Sequence, residues 1–247
     1  MKNKILGLIP CRLKSSRLKE KALLNIDGLP LIIHTLKRVQ MCKEFSDVIV
    51  CTDSSKIKKL VEKYGGISLL TKKNHKTGTD RISEISKKLN YDIAIDIQGD
   101  FPFVDPKNIS KLISFHIKNN FDVVVPYSPI TEKEAYSKDV VKLVHNKDNK
   151  VLYFSRSIIP NPFKKKSNFY SKHMSIISFN KKILDKFSSL QSGYAENQEG
   201  IELLRCLENK ISVGTFKINK DIFSVDVKKD YLRSLSLMPL DPLRKKY

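Results

Sequence analysis

Short apolar runs alternate with longer amphipathic segments through the first half of the chain, and this alternation restricts it to an α/β fold. Ile5–Pro10, Val48–Cys51, Ile67–Thr71, Asp92–Ile97 and Asp122–Val125 have the length and composition of strands, Val48–Cys51 of a buried one. Between them the apolar spacing predicts helices. One follows Pro30 as far as Val39, with the proline tolerated in its first turn. A second starts at a Ser54 or Ser55 cap and runs to Tyr64, where Gly65-Gly66 stops it. Two more cover Thr79–Leu89 and Pro106–Asn119. Strands joined by helices of this length require right-handed crossovers, so the expected architecture has three layers: a mostly parallel sheet covered on both faces.

The second half reads differently. Val140–Val144, Val151–Phe154 and Ser175–Phe179 are short strand-like runs separated by Asn, Lys and Pro, which predicts an inserted antiparallel platform at about residues 140–180. Helices resume at Lys181–Leu190 and Glu196–Glu208, then a strand at Ile211–Lys217 and a last helix at Lys228–Leu237. With no Gly/Ser-rich linker and no repeat, residues 1–247 are expected to form one domain.

Charge is the unusual part of the composition. Lys and Arg number 46 against 26 Asp and Glu, a net +20. That balance suggests nucleic acid or an anionic membrane, because clustered cations release counterions from a phosphate backbone. Only eight of the 46 are Arg, however, and the lysines are dispersed among Asn, Ile and Ser, so no nucleic-acid partner is expected. Cys11, Cys42, Cys51 and Cys206 form no C-x-x-C pair and no zinc-like group with the five His, which predicts buried free thiols in a reducing compartment. The apolar start stops at Pro10, no run approaches the ~20 residues of a membrane span, and a cytoplasmic protein is expected.

In open α/β sheets ligands bind beyond the carboxyl ends of the strands. The segments there are Cys11–Lys21, Thr52–Ser54 and Gln98–Asp100. The first carries five cations and the hydroxyls of Ser15 and Ser16, the donors a triphosphate needs, although it is not a P-loop and read alone is equally a solvated basic loop. Asp100 follows a strand directly and Asp226 ends the run Phe223-Ser-Val-Asp226. Should the two converge, they would make a Mg²⁺ site for phosphoryl chemistry; singly, each reads as a turn residue or cap. Glu196, Glu199, Glu202 and Arg205 recur every three residues and are expected on one face of a single helix. His173 and Arg156 are unremarkable by themselves.

Taken in order, these pieces resemble the 3-deoxy-manno-octulosonate (KDO) cytidylyltransferases over nearly the whole chain. The P-A-R-x-x-S-T-R-L-P-G-K-P-L motif is similar to Pro10–Leu23, A-T-D to Cys51-Thr52-Asp53, and S/T-G-T-D/E-R to Thr77–Arg81. Q-G-D-E-P resembles Gln98–Pro102, Y-F-S-R-x-x-I-P matches Tyr153–Pro160, E-x-x-E-x-x-E-Q-L-R resembles Glu196–Arg205, and V-D-T-P-E-D-L resembles Val225–Tyr231. The resemblance implies a nucleotide-diphospho-sugar transferase-like (Rossmann-like) fold, with the platform serving sugar binding and dimerisation. It implies that the anomeric 2-hydroxyl of KDO attacks the α-phosphate of CTP, releasing pyrophosphate, in a homodimeric enzyme of lipopolysaccharide synthesis. Arg12, Lys21 and Asp100 would be catalytic. Arg12, Ser15, Arg17, Lys21, Thr79, Arg81 and Gln98 would hold nucleotide. Gln98, Arg156, His173, Glu202 and Arg205 would serve the sugar, and Asp100 and Asp226 would bind Mg²⁺.

The chain departs from the family pattern at several of these positions. Lys19-Glu20 replaces Pro-Gly in the phosphate loop, Phe101 replaces the acid after Q-G-D, and Leu203 replaces the Gln of E-Q-L-R. H-x-G-I-Y-G-Y becomes His173–Phe179, without either glycine and without a Tyr hydroxyl. These changes concentrate where the sugar is expected, so a related acid sugar, such as 8-amino-KDO or a nonulosonic acid, is the alternative acceptor. A non-catalytic nucleotide- or polyanion-binding protein is the alternative from another class.

Overall fold

A computed structural model describes residues 3–164, 167, 169–218 and 223–247. Along the first half run β1 (Ile5–Cys11), β2 (Asn25–Ile26), β3 (Leu29–Pro30), α1 (Leu31–Gln40), β4 (Asp47–Thr52), α2 (Ser55–Lys63), β5 (Ile67–Leu70), α3 (Gly78–Ser86), β6 (Ile93–Ile97) and α4 (Pro106–Lys118). The second half contains β7 (Val123–Ile130), α5 (Glu132–Ala135), β8 (Lys142–His145), β9 (Val151–Ser155), β10 (Tyr170–His173), β11 (Ile176–Asn180), α6 (Lys181–Phe187), α7 (Tyr194–Glu199), α8 (Leu204–Glu208), β12 (Val213–Lys217) and α9 (Lys228–Leu237).

One sheet takes the order β5-β4-β1-β6-β11-β7-β10-β8-β9, with β12 pairing β7. From β5 to β6 every pairing is parallel, as the crossover helices require, and β12 lies parallel to β7. Antiparallel pairs connect β6 through β11, β7, β10 and β8 to β9, so the predicted platform strands extend the same sheet.

Period-two alternation sorts the strand residues onto two faces. In β1, Ile5 and Ile9 pack with Ile33, Leu36 and Val39 of α1, while Leu6 and Leu8 pack with Ile82 and Ile85 of α3 on the opposite face. Burying each such aliphatic side chain contributes about 1.5–3 kcal/mol. Asp96 breaks this pattern: it shares the α3 face of β6 with Ala94 and is fully buried. All four cysteines are free and buried, and burial pushes the Cys11 thiol up to about 12, which makes it a poor nucleophile.

Two expectations need correction. Glu196–Glu208 is not one helix: Gly200, at φ 62°, ends α7 in the left-handed conformation, and α8 starts only at Leu204. Glu196, Glu199, Glu202 and Arg205 therefore do not share a helix face. Strand β10 lies outside the runs expected from periodicity, because Tyr-Ser-Lys-His carries no apolar alternation and is held by partners on both sides.

Candidate active site

Strands β4, β1 and β6 end side by side, so Asp53, the loop after Cys11 and Gln98-Gly99-Asp100 meet at one edge of the sheet. Asp53 ties them together. Its Oδ1 accepts from the Leu13 N–H at 3.1 Å, and its Oδ2 accepts from the Arg81 guanidinium at 3.4 Å. Arg81 also donates to the Thr71 hydroxyl and the Lys72 carbonyl. Gly99 is needed for close approach: a Cβ there would lie 2.9 Å from the Pro10 carbonyl oxygen.

The two aspartates do converge. Lys21 Nζ donates to Asp100 Oδ2 at 2.6 Å and to Asp226 Oδ1 at 3.1 Å, and the Arg17 guanidinium reaches the same Asp226 oxygen at 3.0 Å. The backbone fixes the pair: the Val225 N–H donates to the Asp100 carbonyl, and Asp230 accepts from the N–H groups of Asp226 and Val227. Burial raises the Asp100 pKa against the pull of Lys21. Burial also opposes ionisation of Asp226, but Lys21, Ser224 and Arg17 outweigh it and the net direction is down. For Lys21 the burial penalty is overcome by both carboxylates, and its pKa rises. Two hard oxygen donors at one point fit a small divalent cation whose other ligands are phosphate oxygens and water. Among the described residues no group of three or more His, Cys, Asp or Glu is arranged to hold a metal.

Two cavities of about 290 Å³ each meet at this pair. Arg12, Ser15, Arg17, Lys21 and Arg81 line the first, and its far wall is formed by His75–Gly78. The second is lined by Asp139, Lys172, His173, Met174 and Ser175. Gln98, Asp100 and Asp226 belong to both walls. Burial lowers the His173 pKa to about 4, so the ring is neutral, and its buried Nδ1 has no hydrogen-bond partner among the described residues.

The other residues named from sequence lie behind these walls. Thr79 bonds Glu202 and Asp96. Arg156 donates to the carbonyls of Glu199, Lys138 and Gly200. Arg205 makes a two-pronged contact with Glu196 at 2.5 and 2.8 Å. Of the departures in His173–Phe179, only Ser175 reaches the cavity; Ile177, Ser178 and Phe179 are buried in β11. Glu20, the extra acid of the phosphate loop, points to Lys56 at 2.8 Å. Sequence reading missed Asp53 and Asp96 as site-building residues. The first lay inside the ligand-edge segment Thr52–Ser54 and the A-T-D likeness without a role of its own, and the second showed only as an acid inside an apolar strand.

A mixed α/β sheet whose parallel strands end at a basic loop and a carboxylate pair has the parts a nucleotidyltransferase needs, and that is the class to which its similarity to known proteins assigns it. The cytidylyltransferase family profile matches residues 6–222. The chain is 35% identical to the 3-deoxy-manno-octulosonate cytidylyltransferase of Rickettsia canadensis over 232 residues, covering 92% of this chain and 93% of that one. Against the enzyme of the same name from Escherichia coli the identity is 34%, covering 87% and 88%. The structure of a CMP:2-keto-3-deoxy-manno-octonic acid synthetase complexed with CTP superimposes with a TM-score of 0.93 at 32% identity, covering 96% of this chain and 99% of that chain. The protein belongs to the 3-deoxy-manno-octulosonate cytidylyltransferase family.

Proposed function

We propose that this enzyme transfers CMP from CTP to the anomeric hydroxyl of 3-deoxy-manno-octulosonate and releases pyrophosphate. The observation that carries this reading is the shared wall of Gln98, Asp100 and Asp226, where a nucleotide in one cavity meets a sugar acid in the other. Arg12, Ser15, Arg17 and Lys21 hold the triphosphate and stabilise the charge that develops on the leaving pyrophosphate. Thr79 acts from behind the nucleotide cavity, while Arg81 braces its wall through Asp53. Asp100 and Asp226 would hold Mg²⁺. Held there, such an ion would supply Lewis-acid polarisation of the α-phosphoryl group and help activate the attacking hydroxyl.

His173 and Gln98 bind the sugar. The neutral ring offers its unpartnered Nδ1 as an acceptor for a hydroxyl. Arg156, Glu202 and Arg205 support this end of the molecule from outside the cavity. The segment at about 140–180 is read as the sugar-binding and dimerisation platform of a single cytidylyltransferase domain, in a cytoplasmic homodimer that supplies surface polysaccharide synthesis. Among the described residues no helix is long and apolar enough to cross a membrane.

The test is pyrophosphate release from CTP, ATP, GTP and UTP with and without KDO, followed by mass spectrometry of the product. Release with CTP only in the presence of KDO, together with a CMP adduct, supports the reading. If KDO gives no adduct while another 2-keto acid does, the acceptor assignment is overturned. Ser175 on the cavity wall, where the family pattern has Gly, favours a related acid sugar as the second reading.

A further inference from the structure

Asp96 lies on an inner face of the sheet with no exposure to solvent. Its Oδ1 accepts from Gln98 Nε2 at 3.0 Å. Its Oδ2 lies 3.3 Å from Thr79 Oγ1, which in turn lies 2.6 Å from Glu202 Oε1. A hydroxyl carries a single proton and cannot donate to both carboxylates. The chain closes when a proton on Asp96 is given to Thr79 Oγ1 and the Thr79 proton is given to Glu202. Glu202 also draws on the Thr77 hydroxyl, while its Oε2 is buried without a hydrogen-bond partner among the described residues. Of the two acids Glu202 is partly exposed, is met by the Thr79 and Thr77 hydroxyls and has Arg205 as well as Asp80 nearby, whereas Asp96 is fully buried with the carboxylates of Glu202 and Asp100 for neighbours, which places the shared proton on Asp96.

We propose that Asp96 is a positioning residue: as a neutral acid it fixes the Gln98 amide, committing Nε2 to the interior and leaving Oε1 as the atom offered to ligand between the two cavities. Burial, followed by the neighbouring Glu202 charge, moves the Asp96 pKa well above the usual carboxylate range, in agreement with that state. The Gln98 side chain has little alternative space, because it already packs against Gly78, where a Cβ would come within 3.2 Å of both amide atoms. A wrongly turned amide would present a donor where an acceptor is needed, and would leave Asp96 facing an oxygen. The proposal rests on the reading of Gln98 as ligand-binding, and it assigns to Asp96 the task of selecting which end of that amide is used.

Asn is the neutral isostere: it accepts from Gln98 through Oδ1 and donates to Thr79 through Nδ2. D96N is expected to keep kcat/KM within about threefold of the unsubstituted enzyme, and D96A to lose roughly 10- to 100-fold. In a Q98A background D96A is expected to cost less than about threefold more, since the two act as a unit. Loss in D96N equal to that in D96A, or losses of D96A and Q98A that multiply, would overturn the proposal. Infrared spectroscopy of the substrate-free enzyme reads the proton directly. A protonated-carboxyl stretching band is expected that D96N removes; its persistence in D96N and disappearance in E202Q would place the proton on Glu202 and overturn the assignment. That readout needs no turnover, so it stands or falls separately from the identity of the substrates.

Discussion

Lys21 Nζ sits 2.6 Å from Asp100 Oδ2, and the same ammonium spans 3.1 Å to Asp226. On the proposed reading these two carboxylates would hold the divalent cation, and the Lys21 ammonium that now neutralises them would compete with it. Lys21 would then be free to turn toward the phosphates, where its charge would assist pyrophosphate departure.

Lys21→Met should therefore separate metal binding from turnover. Without the ammonium the carboxylate pair is expected to bind Mn²⁺ more tightly in the absence of nucleotide, measured by electron paramagnetic resonance. Pyrophosphate release should fall by roughly 10²–10³-fold. Asp100→Asn should also abolish release while leaving the thermal midpoint in place. Unchanged turnover in either variant would remove these residues from the site.

Arg205 is predicted to matter for stability. Its guanidinium is buried against Glu196 and lies 3.7 Å from Asp80. Arg205→Met leaves those carboxylates without their cation and is expected to cost about 3–5 kcal/mol in chemical denaturation. The KM for the sugar acid, measured on the folded fraction, should change little. A large KM effect with full stability would place Arg205 in the sugar site.

Glu20 occupies a left-handed backbone position at φ 46°, where the family pattern has Gly. Glu20→Gly is expected to raise the thermal midpoint relative to Glu20→Ala, because both lose the Lys56 contact but only Gly relieves the backbone. Equal midpoints for the two would show that the loop carries no such strain.

His34 gives a pH-dependent contribution with a definite sign. Burial lowers its pKa from 6.5 to about 4, with Nε2 against the Ile26 carbonyl and Nδ1 against the Tyr247 hydroxyl. Between those two values the unfolded chain binds a proton that folded His34 does not. Stability is thus full above pH ~6.5 and falls as the pH drops toward ~4, by about 3 kcal/mol at most. Urea unfolding at pH 7 and pH 4.5 should show a smaller difference in His34→Gln; an unchanged difference would exclude this group as a source.

Much of the catalytic edge was legible from local pattern. Val48–Cys51, Ile67–Thr71 and Asp92–Ile97 could be recognised as strands because each is a short, mostly apolar run rich in β-branched residues, although Ile67–Leu70 lies at the sheet edge with Ile67 and Leu70 exposed, and the residues directly after each strand then have to lie at the ligand edge. Asp100 and Asp226 could be named but not joined, since they are far apart in the chain and tertiary contacts, among them the Val225 N–H to Asp100 carbonyl bond and Lys21, bring them together. Gly200 was present in the sequence, yet a threefold recurrence of Glu outweighed it, and the break it causes is what turns Glu196 and Arg205 toward each other.

The sequence by itself determined the alternation of strands and helices, the five arginines that fall inside motifs, and the family. Those are set by local covalent pattern: apolar period, cap and glycine placement, and residue type. Tertiary structure alone decided which cations face a cavity and which are tied to backbone carbonyls, as Arg156 is, and which acid is driven toward its neutral form, as Asp96 is. Both depend on burial and on neighbours distant in the chain, because the energy of a charge is set by its surroundings and not by its place in the sequence.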